Sequence, residues 1–374
     1  MLKRIFNKIN RIYYGILPKK NWIILESVPD LSDNAKAVFD EMIKRNLNKK
    51  YMFIWWVSDK NKNFPKYENT IYIDKKNSKE FNKYLKRAKI LISCNQFLPS
   101  NIKGQISFYL THGTAIKNVG SYQTPKNMTY NLMASLQTIP LMTKVLNGNK
   151  DTFYGLGFPR NDDLTNYKID LHPFFSVPYE KIIVWYPTFR QHKNGLKTNS
   201  SGSIPILEDI KKAEECNEFA KKNNILIVIK PHFAQDISYI TKHNLSNILF
   251  INDEFFEKNG INSYQFVGNC DALITDYSSI YFDYLLCDKP IGAVWEDIEE
   301  YRENPGFCLD IDHYMKGAYK IYKLEDLLKF IENVSLEKDN LKKEREEICE
   351  YANFSKDGKN KERVVDFIIE KGKL

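Results

Sequence analysis

Five short segments carry residues fit for chemistry, and each stands at or just after the end of an apolar run. Thr111-His112-Gly113-Thr114, with Lys117 nearby, presents a histidine beside a glycine. An imidazole titrates near neutrality, so it suits proton transfer at such a position. Tyr186-Pro187-Thr188-Phe189-Arg190 stops a strand on a proline and delivers an arginine, whose guanidinium fork matches the oxygens of a diphosphate. Lys230-Pro231-His232 repeats that plan with a cation and a second histidine. Thr275-Asp276-Tyr277-Ser278-Ser279 leads into the helical stretch Ile280 to Cys287, which contains Asp283. Hydroxyls and backbone N–H groups at a helix start can cradle a phosphate, and Asp276 or Ser278 can cap the same helix. The fifth segment, Gly155-Leu156-Gly157-Phe158-Pro159-Arg160-Asn161-Asp162, reads GxGxxR. It lacks the third glycine and opens no helix, so a dinucleotide cofactor is rejected. Taken together, two histidines, an arginine, a lysine and a serine-rich helix start favour phosphate chemistry.

The elements that must position these groups alternate along the chain. Strand candidates in the first half are Trp22 to Val28, Tyr51 to Val57, Thr70 to Ile73, Lys89 to Ser93, Ile106 to Leu110 and Phe153 to Gly157. In the second half they are Ile182 to Tyr186, Ile225 to Ile229, Ile248 to Ile251, Ala272 to Thr275 and Ile291 to Val294. Strands alternating with helical or polar stretches predict parallel sheets covered by helices, a doubly wound α/β architecture. Asn166 to Glu180, with Pro173 and Pro178, reads as the linker between two such domains, and helices over Leu324 to Val334, Leu336 to Tyr351 and Lys359 to Lys371 close the chain. The expected division is 1–20, 21–170, 171–335 and 336–374. Two doubly wound domains place ligands outside the carboxyl ends of their strands.

The first segment, Met1 to Lys20, repeats Leu2, Ile5, Phe6, Ile9, Ile12, Tyr13, Ile16 and Leu17 at three- and four-residue steps, with Lys3, Arg4, Lys8, Arg11, Lys19 and Lys20 between them. That is an amphipathic helix suited to an anionic membrane surface. Across 374 residues, 55 Lys+Arg against 47 Asp+Glu leave +8, which points to an anionic partner. The excess forms no long stripe interleaved with aromatics, so nucleic acid is not expected. No apolar run approaches the about 20 residues of a spanning helix, and no apolar block follows the first charges to make a signal peptide. Cys94, Cys216, Cys270, Cys287, Cys308 and Cys349 are scattered without CxxC spacing, which argues against disulfides or structural zinc and for a reducing cytoplasm. The only DxD of the second half, Asp310-Ile311-Asp312, lies outside the motif segments and is too short to mark a metal site.

In this order THGT…K, GFPRND, PTFR, KPH and TDYSSIYFDYLLCDKPI resemble the CDP-glycerol glycerophosphotransferase family of teichoic-acid and capsule synthesis. The pattern runs from about Thr111 to Pro290 and extends through Asp297, Tyr301 and Gly306. It departs from the family at Ala115-Ile116, where Pro-Leu is common, and at Phe233, where Pro is frequent. The resemblance is to the shorter, single-module members. It implies a GT-B fold: two Rossmann-like domains facing a central cleft, the first holding acceptor and the second CDP-glycerol. It also implies a peripheral enzyme on the cytoplasmic face of the cell membrane, moving glycerol phosphate from CDP-glycerol to a hydroxyl of a lipid-linked glycan or polyol-phosphate acceptor and releasing CMP. The alternative is a CDP-ribitol transferase or another GT-B transferase using a nucleotide sugar. Under this resemblance His112 is the general base, while His232, Arg190, Ser278 and Ser279 hold the diphosphate. Lys230, Asp276 and Asp283 orient it or touch ribose or glycerol. Gly113, Thr114, Lys117, Arg160, Asp162 and Thr188 support the site. No cofactor and no metal are expected.

Overall fold

The computed structural model describes residues 11–118, 120, 122–188, 203–231, 235 and 237–374. These form two compact units, one of Met1–Thr114, Gly120–Asp162 and Phe354–Leu374, the other of Ala115–Val119 and Asp163–Asn353.

The first unit is built on a seven-stranded parallel sheet. Its strands are β1 (Lys20–Glu26), β2 (Met52–Val57), β3 (Thr70–Asp74), β4 (Ala88–Ser93), β5 (Ile106–Tyr109), β6 (Tyr130–Met133) and β7 (Phe153–Gly155), in the order β3-β2-β1-β4-β5-β6-β7. Period-two alternation gives the sheet two apolar faces. Ile23, Leu25, Phe53, Trp55, Ile90 and Ile92 pack with Ala35, Val38, Phe39 and Met42 of helix Asp33–Lys44. Ile24, Ile54 and Leu91 lie on the other face with Phe81 of helix Ser78–Leu85. Sheets covered on both faces read as continuous apolar runs, which is why these strands are legible in the sequence.

The second unit carries β8 (Lys181–Trp185), β9 (Ile225–Ile229), β10 (Ile248–Phe250), β11 (Ala272–Thr275), β12 (Ile291–Val294) and β13 (Tyr319–Ile321) in the order β10-β9-β8-β11-β12-β13. Ile182, Val184, Leu226, Val228 and Leu273 face one core, and Ile183, Trp185, Ile227 and Ile274 face the other. In both sheets the strand order reverses beside the first strand, between β1 and β4 and between β8 and β11.

Several expectations are corrected. Strands β6 and β13 were not expected: Tyr130–Met133 holds a buried asparagine, Asn131, and Tyr319–Ile321 has only three residues, one of them Lys320. The stretch 166–180 is no free linker, because Leu171 is buried and Phe174, Phe175 and Val177 pack against the core of the second unit. The units meet in sequence at Asp162 rather than at residue 170. Residues 336–374 are not a separate part. Ile348, Cys349 and Ala352 of helix Lys342–Ala352 belong to the second unit's core, and Val364, Val365 and Ile368 of helix Asn360–Gly372 belong to the first unit's. Of the amphipathic stretch, residues 1–10 lie outside the described residues and 11–16 are helical.

Asp162 pins the last helix to the first unit, its carboxyl oxygens accepting from the backbone N–H of Asn360 (2.9 Å) and Lys361 (2.7 Å). Both are otherwise orphan donors of a helix start. Asp162→Ala should therefore lower the unfolding free energy by about 2 kcal/mol and expose the segment after Phe354 to protease. An unfolding midpoint equal to the parent's would show that apolar packing alone holds this helix.

Candidate active site

Three loops converge at the carboxyl edge of the second sheet. Tyr186, Pro187 and Thr188 leave β8, Lys230 and Pro231 leave the adjacent β9, and Ser278 follows β11. With Lys117 they line one pocket of about 410 Å³. Lys117 arrives from the short segment that joins this unit, paired in a bridge with Phe307. That segment is held by Asn118 N–H donating to Gly306 O (2.8 Å) and Cys308 N–H donating to Ile116 O (2.9 Å). The pocket thus combines two ammonium groups with the hydroxyl-bearing Tyr186, Thr188 and Ser278 at the point where the strand order reverses. In doubly wound sheets that is the ligand-binding position, and such groups suit an anionic, phosphate-bearing ligand.

Asp276 builds this edge. It is fully buried, and its carboxyl accepts from Thr188 N–H (2.7 Å) and from the Thr188 hydroxyl. The Thr275 hydroxyl donates to Tyr186 O (3.1 Å) across the same gap. Asp276 therefore fixes the loop after β8 and does not line the pocket. Neither Asp276 nor Ser278 caps the following helix, Ile280–Tyr284, whose start is Ser279 without a side-chain cap. Asp283 is also buried, accepting from the Tyr264 hydroxyl (2.7 Å), away from the pocket lining. Lys230 lies 3.1 Å from exposed Asp253 and 6.0 Å from the Tyr186 ring centre. Burial pushes the Tyr186 hydroxyl well above its ordinary pKa, with Cys270 and Asp253 adding to the rise, so this wall of the pocket stays uncharged. Tyr277 donates to Asp297 (2.9 Å) and packs on Tyr301 and Phe307, tying the downstream residues into the same edge. Arg190 and His232 lie outside the described residues.

In the first unit His112 is exposed on the turn that follows β5. Thr111 adopts φ 51° and Gly113 φ 148°, so the backbone reverses around the histidine. Thr114 is buried beside it. Arg160 is nearly buried and ion-paired to Asp33 (2.6 Å), while Asp162 serves the last helix. These two residues therefore build the first unit's framework. Sequence reasoning missed Asp33 and Asn34, which stand in the stretch between two strand candidates and match no motif segment. Of the DxD pair, Asp310 caps its own short helix and Asp312 pairs with Arg302 (2.8 Å). Among the described residues no group of three or more His, Cys, Asp or Glu is arranged to hold a metal.

The model of a family described as CDP-glycerol:poly(glycerophosphate) glycerophosphotransferase matches residues 8–370. The chain belongs to that family. It is accordingly an enzyme, a glycerophosphotransferase. It is similar to the teichoic acid poly(glycerol phosphate) polymerase of Bacillus spizizenii, 25% identical over 85% of this chain and 84% of that one. It is also similar to the teichoic acid glycerol-phosphate transferase of Staphylococcus aureus, 23% identical over 90% and 87%. A solved structure of a variant of the wall teichoic acid polymerase TagF matches with TM-score 0.75 at 20% identity, covering 100% of this chain and 96% of that one. The likeness shows the fold, two doubly wound units of the GT-B class.

The Thr188 hydroxyl is one of the groups that satisfy a buried carboxyl in this glycerophosphotransferase. Thr188→Val should lower the unfolding free energy by about 1–3 kcal/mol, the range for depriving a buried polar group of a partner. Chemical denaturation at an unchanged midpoint would show that Asp276 needs no such donor.

Proposed function

We propose that the enzyme transfers glycerol phosphate from CDP-glycerol to a hydroxyl of a lipid-linked teichoic-acid or related polyol-phosphate acceptor, releasing CMP. The observation that carries this reading is the pocket of Lys117, Thr188, Lys230 and Ser278 at the second sheet's switch point, in a chain of this family. The acceptor oxygen forms a bond to the β-phosphorus while the bond from that phosphorus to the bridging oxygen breaks. CMP leaves with the bridging oxygen and its electron pair, and the acceptor's proton passes to His112. Lys117 and Lys230 offset charge on the diphosphate, and the Ser278 hydroxyl orients it, while Thr188, its own hydroxyl donated to Asp276, holds the loop after β8 in place. Motif position alone assigns Arg190 and His232 to the same diphosphate. Charge stabilisation and positioning supply most of the catalysis in phosphoryl transfer. No residue in this scheme requires a cofactor or metal.

The enzyme also works at an anionic membrane surface under this proposal. A cavity of about 560 Å³ in the first unit is lined by Arg11, Lys79, Lys83 and Lys86, with no carboxylate among its described lining. On the helical segment 11–16 beside it, Ile12, Tyr13 and Ile16 are 56%, 57% and 78% exposed. Cations next to exposed apolar side chains suit the headgroup region of an anionic leaflet. Among the described residues no helix is long and apolar enough to cross a membrane.

His112→Ala should reduce kcat by about 10²–10⁴-fold, the usual contribution of a general base, and leave CDP-glycerol affinity unchanged. Lys230→Ala should weaken that affinity in calorimetry. The reference assay is CMP release with CDP-glycerol, CDP-ribitol and UDP-sugars side by side, in which CDP-glycerol should be preferred. His112→Ala activity within a few-fold of the parent removes the base, and unchanged donor affinity in Lys230→Ala misplaces the donor. For the membrane, replacing Lys83 and Lys86 by Gln should cut binding to anionic vesicles by about 30-fold, at about 1 kcal/mol per cation. Equal sedimentation of parent and variant would exclude this surface.

A further inference from the structure

The turn that carries His112 has an unusual support. Thr111, a β-branched residue, holds φ 51°, a backbone region that such residues seldom enter and that costs energy to maintain. The group lying against it is Asn34, the second residue of helix Asp33–Lys44, which is fully buried. Its side-chain amide donates to Thr111 O (3.0 Å) and reaches Leu110 O (3.4 Å). Its side-chain oxygen accepts from the backbone N–H of Arg160 (3.2 Å). Two carbonyls on one side and an N–H on the other fix which way the amide points, since the reverse orientation would oppose like groups.

Asn34 is itself held from several directions. Ala35 N–H donates to the sulfur of Cys94 (3.1 Å), just past β4. Asp33 beside it takes the Arg160 guanidinium at 2.6 Å. The helix start is thus anchored at the end of β4 and to the Phe158–Asn161 segment, and Asn34 passes that rigidity to the end of β5. Leucine or alanine at this position would leave two strand-end carbonyls and one N–H without the amide that bridges them.

We propose that Asn34 is a positioning residue for His112, locking the left-handed Thr111 turn so that the imidazole is held toward the acceptor hydroxyl. This rests on the reading of His112 as the general base. A displacement of about 1 Å in a reacting group can cost on the order of 100-fold in rate, so the amide's contribution falls on the chemical step. The lining of the donor pocket belongs to the other unit.

The test is a double-mutant cycle in the CMP-release assay with CDP-glycerol and a soluble acceptor analogue. Asn34→Ala should lower kcat by about 10–100-fold with KM for CDP-glycerol within about twofold. In the His112→Ala background the same change should cost less than about threefold, because a residue acting through the imidazole has nothing left to position. Asn34→Ser, which retains one donor, should fall between parent and Ala. If the Ala variant loses its cooperative melt, the Ser variant is carried through the same cycle and read in the same way. Additive losses in the two backgrounds, or an Asn34→Ala kcat within a few-fold of the parent, overturn the positioning role. A His112→Ala enzyme of near-parental activity overturns the base assignment itself, and the inference with it. A large His112→Ala loss beside an unaffected Asn34→Ala overturns the inference alone.

Discussion

The edge of the second unit depends on how one buried carboxyl group is satisfied. Asp276 closes β11 with no solvent contact, and the loop after β8 supplies both a backbone and a hydroxyl donor to it. An unpartnered buried carboxyl costs several kcal/mol, so the chain gains by keeping Thr188 at that distance. The constraint sets where Pro187 and Thr188 stand. They in turn form one wall of the pocket whose other walls are Lys117, Lys230 and Ser278. A group outside the pocket lining thereby fixes the separation of those that form it.

The first unit solves a comparable problem with an amide. There the carbonyls at the end of β5 turn toward the start of helix Asp33–Lys44, and Asn34 bridges them to the Arg160 backbone. In the second unit the pinned loop, after β8, flanks the gap where the strand order reverses; in the first the pinned loop follows β5, one strand beyond that gap. Loops at that gap run in opposite directions and leave the backbone groups between them without ladder partners, so side chains must satisfy them.

Much of this was legible in the sequence, for identifiable reasons. Ile225–Ile229 is an unbroken apolar run and the strand has those bounds. Tyr130–Met133 and Tyr319–Ile321 are too short, and carry Asn131 and Lys320, so no period-two signal marks them. Thr188 and Lys230 could be found because a proline stops each strand beside them, and Ser278 because it opens a helix. The work of Asp276 and Asn34 could not. Their partners lie 88 and 77 positions away, and a residue that supports a turn leaves no pattern in its own neighbourhood. Asp283 shows the converse: a carboxylate in the TDYSSIYFDYLLCDKPI segment that turns inward to Tyr264.

The division of the closing helices bears on the order in which the protein takes shape during synthesis. The second unit is almost continuous, Asp163–Asn353 with one short excursion. The first is interrupted: Asp162 waits 198 positions for Asn360, and Val364, Val365 and Ile368 complete a core whose strands end at Gly155. On the ribosome the seven-stranded sheet is made first yet finished last, its apolar face open while the whole of the other unit emerges. The unit whose sheet precedes the other is therefore the one more exposed to chaperones and to misassembly, and a fragment ending near Asp162 would keep that face uncovered.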